Sequence, residues 1–347
     1  MKKVVFEEDR SIVRHHTGGY REYRIPGILP VRDALLLTCE ARSGEGDDNL
    51  GDWGDIDILV FRLETDGTQT ECLRIGESAL PKDGSLRTFN NPVLIPDGER
   101  THLIYHRNYE TVFITTSEDG GKTWTAPREI TEGYREFPFD WNVSATGPGH
   151  GVRMANGRLV APVWLANGET YGPNRMLRKH WPSAAGCVYS DDHGASWHAG
   201  ALTDCGRNPN ETSIAVLADG RLLFNFRNQN TDMRRMLGLS SDGGETLERI
   251  RTSDALRDPH CFGGSAACTG GVLFANCDSE EARVRVTVKW SRDAGETWET
   301  VWEVDPVGGY ADVAAVGDAV YVFYERWDKE TRCTRELVLA KGRLEDC

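Results

Sequence analysis

The sequence predicts an all-β protein, a six-bladed β-propeller in which residues 1–347 form a single domain. Three observations support this prediction: an eight-residue sequence recurs, the segments around its copies alternate apolar and polar residues, and helical periodicity is almost absent. A repeat of about 50 residues is typical of a fold in which each unit is one small antiparallel sheet.

The recurring octet has a serine, an aspartate, a glycine and a tryptophan at fixed offsets. Its copies are "SEDGGKTW" at 117–124, "SDDHGASW" at 190–197, "SSDGGETL" at 240–247 and "SRDAGETW" at 291–298, with a degenerate "ETDGTQTE" at 64–71. The central aspartates, Asp66, Asp119, Asp192, Asp242 and Asp293, are 53, 73, 50 and 51 residues apart. The aspartate can accept backbone N–H groups in a hairpin turn and the glycine tolerates positive φ, so each octet predicts a turn between two strands.

The segments near the octets predict strands and further hairpins. In "RVRVTVKW" at 283–290 the apolar and polar side chains alternate, which is typical of a half-buried strand. Five octets account for five sheets, and we expect residues near both termini to build a sixth sheet that closes the ring. The longer 73-residue gap contains an insertion near 165–185, which we expect to form a loop beside the mouth of the propeller.

Composition limits the classes of partner. The formal net charge of -14 argues against nucleic acid or an anionic membrane as a partner, because both require a basic face. No apolar run reaches the roughly 20 residues of a membrane helix, and the first residues do not resemble a signal peptide. The nine cysteines include no C-x-x-C pair, so we expect reduced thiols, no metal site and a cytoplasmic protein. The sequence does not indicate an oligomeric state.

Several short motifs occur together with the octets. They are "YRIPGIL" at 23–29, "GPGHG" at 147–151, "NPNETSI" at 208–214, "FRN" at 226–228 and "GGYADV" at 308–313. In this combination the chain resembles the sialidase (neuraminidase) family of exo-acting glycosidases over nearly its whole length. The resemblance implies an exo-α-sialidase that removes terminal sialic acid from a sialylated glycan and requires no cofactor.

The resemblance also implies a group of arginines that binds the carboxylate of sialic acid. Arginine stays charged and offers a bidentate fork, which suits a carboxylate better than lysine does. Matching motifs place these arginines at Arg24 in "YRIP", Arg227 in "NFRN" and Arg283 in "ARVRVTVKW". Arg285 is the alternative to Arg283, because the two residues should face the same side of one strand.

Tyr310 in "GGYADV" matches the family's nucleophile, and Glu211 in "NPNETSI" matches its general base. The anomeric carbon of sialic acid bears a carboxylate, which would repel a carboxylate nucleophile. A neutral phenol can approach that carbon if a neighbouring glutamate accepts its proton, and sialidases with a tyrosine nucleophile are a known exception to the scheme of two carboxylates.

The acid/base aspartate lies in "GEGDDNLGDWGDIDILVFR" at 44–62, where we assign it to Asp52 at the head of "DWGDIDI". An aspartate that protonates the leaving oxygen should have a raised pKa. The segment also contains Asp55, and Asp57 falls in the alternating strand, where we expect the sheet to fix it. Asp47 and Asp48 are the alternatives to Asp52 if the loop is folded differently.

The family match suggests two supporting residues. Arg42 in "CEARS" is expected to contact the sugar, and Glu325 in "FYERW" to orient Arg24, although both could instead form ordinary structural ion pairs. His150 and His180 are interpreted as loop or pocket-wall residues, because the mechanism requires no histidine.

The sequence is also compatible with two other functions. A hydrolase of a related nonulosonic acid such as Kdn, which lacks the N-acetyl group, would use the same residues. A non-catalytic, sialic-acid-binding propeller lectin would be expected to have lost Tyr310 or Glu211, and both are present. Transfer of sialic acid rather than hydrolysis would need an acceptor platform, which the sequence does not reveal.

Overall fold

The computed structural model describes residues 2–43, 51–77, 84–172, 175–204, 206–331 and 334–346. These residues are mainly in strands, and the described helical segments, the α-helix Thr131–Arg135 and the 3-10 turn Gly51–Trp53, are short. None of the described helices is long and apolar enough to cross a lipid bilayer.

Six sheets surround one axis as the blades of a propeller, which confirms the predicted fold class. Blade 1 contains β2 (Glu22–Val31), β3 (Ala34–Arg42), β4 (Ile56–Glu64) and β5 (Gln69–Ile75). Blade 2 contains β6 (Phe89–Asp97), β7 (Arg100–Arg107), β8 (Thr111–Ser117), β9 (Arg128–Glu129) and β11 (Gly149–His150). Blade 3 contains β10 (Val143–Thr146), β12 (Val152–Arg153), β13 (Leu159–Ala166), β16 (Ser183–Ser190) and β17 (His198–Thr203).

The other three blades follow in chain order. Blade 4 contains β18 (Thr212–Val216), β19 (Leu222–Phe226), β20 (Arg234–Ser240) and β21 (Glu248–Arg257). Blade 5 contains β22 (Gly264–Cys268), β23 (Gly271–Cys277), β24 (Val286–Ser291) and β25 (Glu299–Asp305). Blade 6 contains β26 (Gly308–Val316), β27 (Ala319–Trp327), β28 (Thr334–Asp346) and β1 (Lys2–Arg14). A separate hairpin of β14 (Thr170–Tyr171) and β15 (Leu177–Arg178) lies within the insertion.

The ring closes in blade 6, as the sequence predicts. Strand β1 pairs antiparallel with β28, from Lys2 opposite Asp346 to Arg14 opposite Glu336. Ion pairs from Lys341 and Arg343 to Glu7, at 2.9 and 2.7 Å, join the same two strands. The two ends of the described chain are therefore held in one sheet.

The octets form the turns between the third and fourth strands of their blades, and their hydrogen bonds agree with the predicted turn. In the copy at 117–124, Asp119 accepts hydrogen bonds from the backbone N–H groups of Lys122 and Thr123, both at 2.9 Å, and from the Thr123 hydroxyl at 2.6 Å. The Trp124 indole N–H donates to the Gly121 carbonyl at 3.2 Å. Each octet is therefore a structural device that fixes a turn.

The path of the strands separates the octets from the mouth of the propeller. The first strands of adjacent blades, such as β2 and β26, contact each other around the axis. Because neighbouring strands in a blade are antiparallel, the start of the first strand, the end of the second and the start of the third lie at one face. The octets follow the third strand and therefore lie at the opposite face.

Apolar side chains from neighbouring sheets meet between the blades. One buried cluster joins Ile28 and Leu37 of blade 1 to Phe323 and Leu339 of blade 6. Stacking of sheets around an axis leaves each blade with two covered faces. The core therefore holds the first strands in fixed positions around the mouth.

The octet aspartates should make stability depend on acid pH. Hydrogen bonds from Thr123 lower the pKa of Asp119 to about 2. Burial alone would raise the pKa of Asp242, but hydrogen bonds from Thr246 and Ser240 lower it to about 2. A carboxylate with a lowered pKa contributes its full stabilisation above the pKa it has in the unfolded chain, ~4. This contribution is lost as the pH falls toward the pKa of the folded protein, ~2. We expect the free energy of unfolding, measured by urea titration, to fall over that window and to fall less steeply in Asp119→Asn.

The exposed aspartate Asp254 provides the control for this experiment, because it lies outside the octets. Asp254→Asn should leave the slope of unfolding free energy against pH unchanged. An equal slope in wild type and Asp119→Asn would contradict the assignment of acid sensitivity to the octets.

Candidate active site

Backbone irregularities occur at the mouth ends of three first strands. Register shifts interrupt β2 between Arg24 and Gly27, β6 between Asn90 and Val93, and β26 between Gly308 and Ala311. In the first of these Ile25 has a φ of 61°, a left-handed conformation that is strained for a β-branched residue. A bulge of this kind changes the direction of a side chain, and here the bulges flank Arg24 and Tyr310.

A cavity of about 250 Å³ lies at this face. The structure brings together seven of the predicted site residues in its lining, which are Arg24, Arg42, Asp52, Glu211, Arg227, Arg283 and Tyr310. They come from blades 1, 4, 5 and 6 and are far apart in sequence. The propeller fold brings them together around one cavity. The eighth predicted residue, Glu325, is fully buried behind Arg24.

Tyr310, Glu211 and Arg227 form one hydrogen-bonded group. The Tyr310 hydroxyl donates to Glu211 Oε1 at 2.6 Å. Arg227 Nη1 donates to Glu211 Oε2 at 2.6 Å and to the Tyr310 oxygen at 2.9 Å. Burial, supported by the charge of Glu211, raises the pKa of Tyr310 against the opposing effect of the arginines. The phenol is therefore neutral at neutral pH, with a carboxylate positioned to take its proton.

Glu325 holds Arg24 and the backbone around Tyr310 in place. Its carboxylate accepts from Arg24 Nε at 3.0 Å and Nη2 at 3.3 Å, which is a bidentate ion pair. The same carboxylate accepts the backbone N–H groups of Ile25 and Tyr310, each at 3.2 Å. Arg24 is thereby directed over the Tyr310 ring, with its guanidinium carbon 5.0 Å from the ring centroid.

Arg283 and Arg285 are separated by the structure, although the sequence predicted that they share one face of a strand. That expectation is wrong, because β24 begins at Val286 and Arg285 has a φ of 57°, which breaks the alternation. Arg283 reaches over Tyr310 at 5.1 Å, whereas Arg285 points to Asp278 at 3.6 Å outside the cavity. Of these two arginines, Arg283 is therefore the one that lines the cavity.

Arg42 links two carboxylates. Its Nη2 lies 2.6 Å from Glu40 Oε2 and 3.0 Å from Asp52 Oδ1. Partial burial alone would raise the pKa of Asp52, whose side chain is 48% exposed, but the charges of Arg42 and Arg24 hold it well below its usual range. The expectation of a raised pKa for Asp52 is therefore wrong, because the arginines that could bind an anion also stabilise the aspartate anion.

The neighbouring aspartates lie in other positions. Asp57 is buried in β4 and accepts the Tyr20 hydroxyl at 2.6 Å, while Asp55 does not line the cavity. Asp47 and Asp48 lie outside the described residues. Among the described aspartates of this segment, Asp52 is thus the one that faces the cavity.

An aromatic wall formed by Tyr109, Trp164 and His180 closes the side of the cavity next to blades 2 and 3, and the sequence reading missed two of its members. The His180 ring lies 5.0 Å from those of both Tyr109 and Trp164. Burial lowers the pKa of His180 against the opposing charges of Asp52 and Glu211, so its ring is neutral at neutral pH. No sequence motif marked Tyr109 or Trp164, because a buried aromatic residue in a strand resembles any core residue.

The two histidines have different positions. His180 is a pocket-wall residue, as predicted. His150 does not line the site cavity; its Nδ1 lies 2.9 Å from Asp312 Oδ2 nearer the other end of the axis, beside a second cavity of about 260 Å³.

The chain is similar in sequence to known proteins. Residues 47–322 match the BNR repeat-like domain family. A sialidase of Micromonospora viridifaciens is 27% identical over 351 aligned positions, covering 88% of this chain and 50% of that protein. Sialidase-4 of Mus musculus is 30% identical over 267 positions, covering 71% of this chain and 52% of that protein. The chain thus spans about half the length of these curated relatives.

Solved structures agree on the fold. A Hadza microbial sialidase, Hz136, superimposes with a TM-score of 0.76 at 23% identity, covering 97% of this chain and 68% of that one. A Trypanosoma rangeli sialidase in complex with sialic acid gives a TM-score of 0.67 at 18% identity, covering 98% and 58%. The family match covers most of the chain and includes all five octets. The chain therefore belongs to the sialidase family with BNR repeats.

Proposed function

We propose that this protein is an exo-α-sialidase that hydrolyses terminal sialic acid from a glycan with retention of configuration and without a cofactor. The observation that carries the proposal is the Tyr310 hydroxyl, 2.6 Å from Glu211 and flanked by the guanidinium groups of Arg24, Arg227 and Arg283. The sialidase names of the curated relatives support the same activity.

The arginines bind the carboxylate of the substrate. Arg24 and Arg283 lie at 5.0 and 5.1 Å from the Tyr310 ring, so an anion held between them is placed over the phenol. In a chain of net charge -14 they form a local positive site within a negative surface, which favours a small anion over a polyanion. Binding of the carboxylate also neutralises charge that would otherwise hold Asp52 ionised.

Attack begins when Glu211 accepts the proton of Tyr310. The phenolate oxygen forms a bond to the anomeric carbon, and the bond to the leaving oxygen breaks as Asp52 donates a proton to it. A water molecule then loses its proton to Asp52 and replaces the tyrosyl oxygen, while Glu211 returns the proton to Tyr310. Two displacements at one carbon give retention of configuration.

The proposal is tested by incubating the purified protein with 2,3-, 2,6- and 2,8-linked sialosides and measuring free sialic acid. Release of the α-anomer first, observed by proton NMR, is the expected result. Absence of release from every donor, with the protein folded, would overturn the assignment. Release of Kdn from matched Kdn glycosides, without release of N-acetylneuraminic acid from the sialosides, would replace the substrate and keep the mechanism.

The role of Asp52 predicts a shift in pH dependence. Removal of the Arg42 charge should raise the pKa of Asp52, because the protonated form is then less disfavoured. We therefore expect the alkaline limb of the kcat/KM profile of Arg42→Gln to move to higher pH, in addition to a lower maximum. An alkaline limb that stays in place or moves to lower pH would argue against Asp52 as the acid.

A further inference from the structure

Two exposed aromatic side chains belong to the insertion beside the cavity. Trp181 lines the cavity and 57% of it is exposed, and Tyr171 is 43% exposed. Both belong to the insertion between β13 and β16, in which β14 and β15 form a hairpin. Exposure of large aromatic surface is unfavourable in water, so exposed rings beside a pocket commonly mark a binding surface.

This insertion packs on the turn that carries Asp52. The Arg178 guanidinium carbon lies 4.9 Å from the Trp53 ring centroid, and the His180 ring lies 5.8 Å from the same ring. Trp53 follows Asp52 directly in the 3-10 turn. Tyr171 pairs with Leu177, next to Arg178, in the same hairpin. Partial burial raises the pKa of Tyr171, and the charge of Asp52 adds to that effect.

The position of Asp52 defines the side on which the leaving group departs. In the proposed function, Asp52 donates its proton to the oxygen between sialic acid and the next sugar. The next sugar ring therefore extends from Asp52 toward the insertion that carries Trp181 and Tyr171. One face of a pyranose carries mainly C–H groups, and such a face packs well on an aromatic ring.

We propose that Trp181 and Tyr171 form a binding subsite for the pyranose sugar to which the terminal sialic acid is attached. This inference rests on the proposed function. The subsite adds apolar contact on the leaving-group side, in contrast to the arginine cluster, which binds only the terminal sugar.

The test compares two substrates that share the acid sugar and an alkoxide leaving group. The α-methyl glycoside of N-acetylneuraminic acid has no second ring, whereas sialyllactose has one at the proposed subsite. For Trp181→Ala, we expect KM for sialyllactose to rise about fivefold to tenfold relative to KM for the methyl glycoside. Tyr171→Ala should give a smaller change in the same direction, and Trp181→Tyr should restore part of the loss.

Phe6→Ala is the matched control, because Phe6 is 55% exposed on β1 in blade 6 and does not line the cavity. It should leave the ratio of the two KM values unchanged. Thermal unfolding of each variant checks that the fold is retained.

The outcomes separate this inference from the function on which it rests. If wild type hydrolyses both substrates and Trp181→Ala changes both KM values equally, or changes neither, the subsite is overturned and the sialidase assignment stands. If folded wild type releases sialic acid from neither substrate, the proposed function is overturned and the subsite with it.

Discussion

Tyr310→Phe is expected to reduce kcat for a sialoside by about 10³-fold or more, because the variant lacks the oxygen that attacks the anomeric carbon. The phenyl ring should remain in place, since Phe262 packs against it at 5.8 Å and Arg24 and Arg283 lie over it. Steady-state kinetics measure the loss, and a binding titration with a sialic acid analogue should show that the arginine cluster still holds an anion.

Tyr324→Phe is the control for this variant. Tyr324 is a fully buried tyrosine of the same blade, and its hydroxyl donates to Asp305 at 2.9 Å away from the cavity. Loss of this hydroxyl should lower stability by about 1 kcal/mol and leave kcat nearly unchanged. Wild-type turnover in Tyr310→Phe would show that another group is the nucleophile.

The second large effect is expected for Glu325→Gln, which removes the buried negative charge opposite Arg24. Breaking a buried ion pair from one side costs about 3–5 kcal/mol, and the amide also presents N–H groups to the donors of Ile25 and Tyr310. We expect a matching loss of unfolding free energy in urea. Because Arg24 loses its bidentate partner, kcat/KM should fall at least about 100-fold, mainly through KM.

Glu336→Gln separates the local effect from general damage to blade 6. Glu336 is a buried carboxylate of β28 that faces Arg14 at 3.4 Å and Arg326 at 3.6 Å, outside the cavity. This variant should lose stability but keep kcat/KM within about twofold. If Glu325→Gln loses no more activity than Glu336→Gln, Glu325 does not orient the site.

The propeller was predictable because the octet encodes its own turn. Serine, aspartate and glycine satisfy the backbone locally, so the turn at Asp119 depends little on the rest of the protein. The alternation of apolar and polar residues then predicts the strands between these turns. Closure by β1 and β28 followed from counting sheets, since five octets leave one sheet to be built from the ends.

Site residues that lie in a distinctive motif could be predicted from the sequence. Site properties that depend on the local backbone conformation or on contacts between segments were harder to predict. Arg24, Glu211 and Tyr310 each sit in a distinctive motif, and the structure brings them together. The choice of Arg283 over Arg285 depends on a positive φ at Arg285, which strand alternation does not reveal. The lowered pKa of Asp52 depends on the distance to Arg42, a contact between two segments that only the folded sheet defines.

The aromatic groups around the cavity were the least accessible to sequence reasoning. Tyr109 and Trp164 occur in ordinary β-rich segments, and their side chains reach the cavity because of where their blades stand. The insertion was recognised by its length alone. Its position on the turn of Asp52 follows from contacts of Arg178 and His180 with Trp53, which no local pattern predicts.

The blade that holds Tyr310 takes its outermost strand from the beginning of the chain and its other three strands from the end. During synthesis, β1 therefore leaves the ribosome long before its partner β28, and its hydrogen-bonding edge stays unpaired until β28 has been translated. Chains still being translated should hence lack activity even when the first five blades have formed. A ribosome stalled shortly before β28 would carry a nearly complete propeller whose nucleophile is not yet supported.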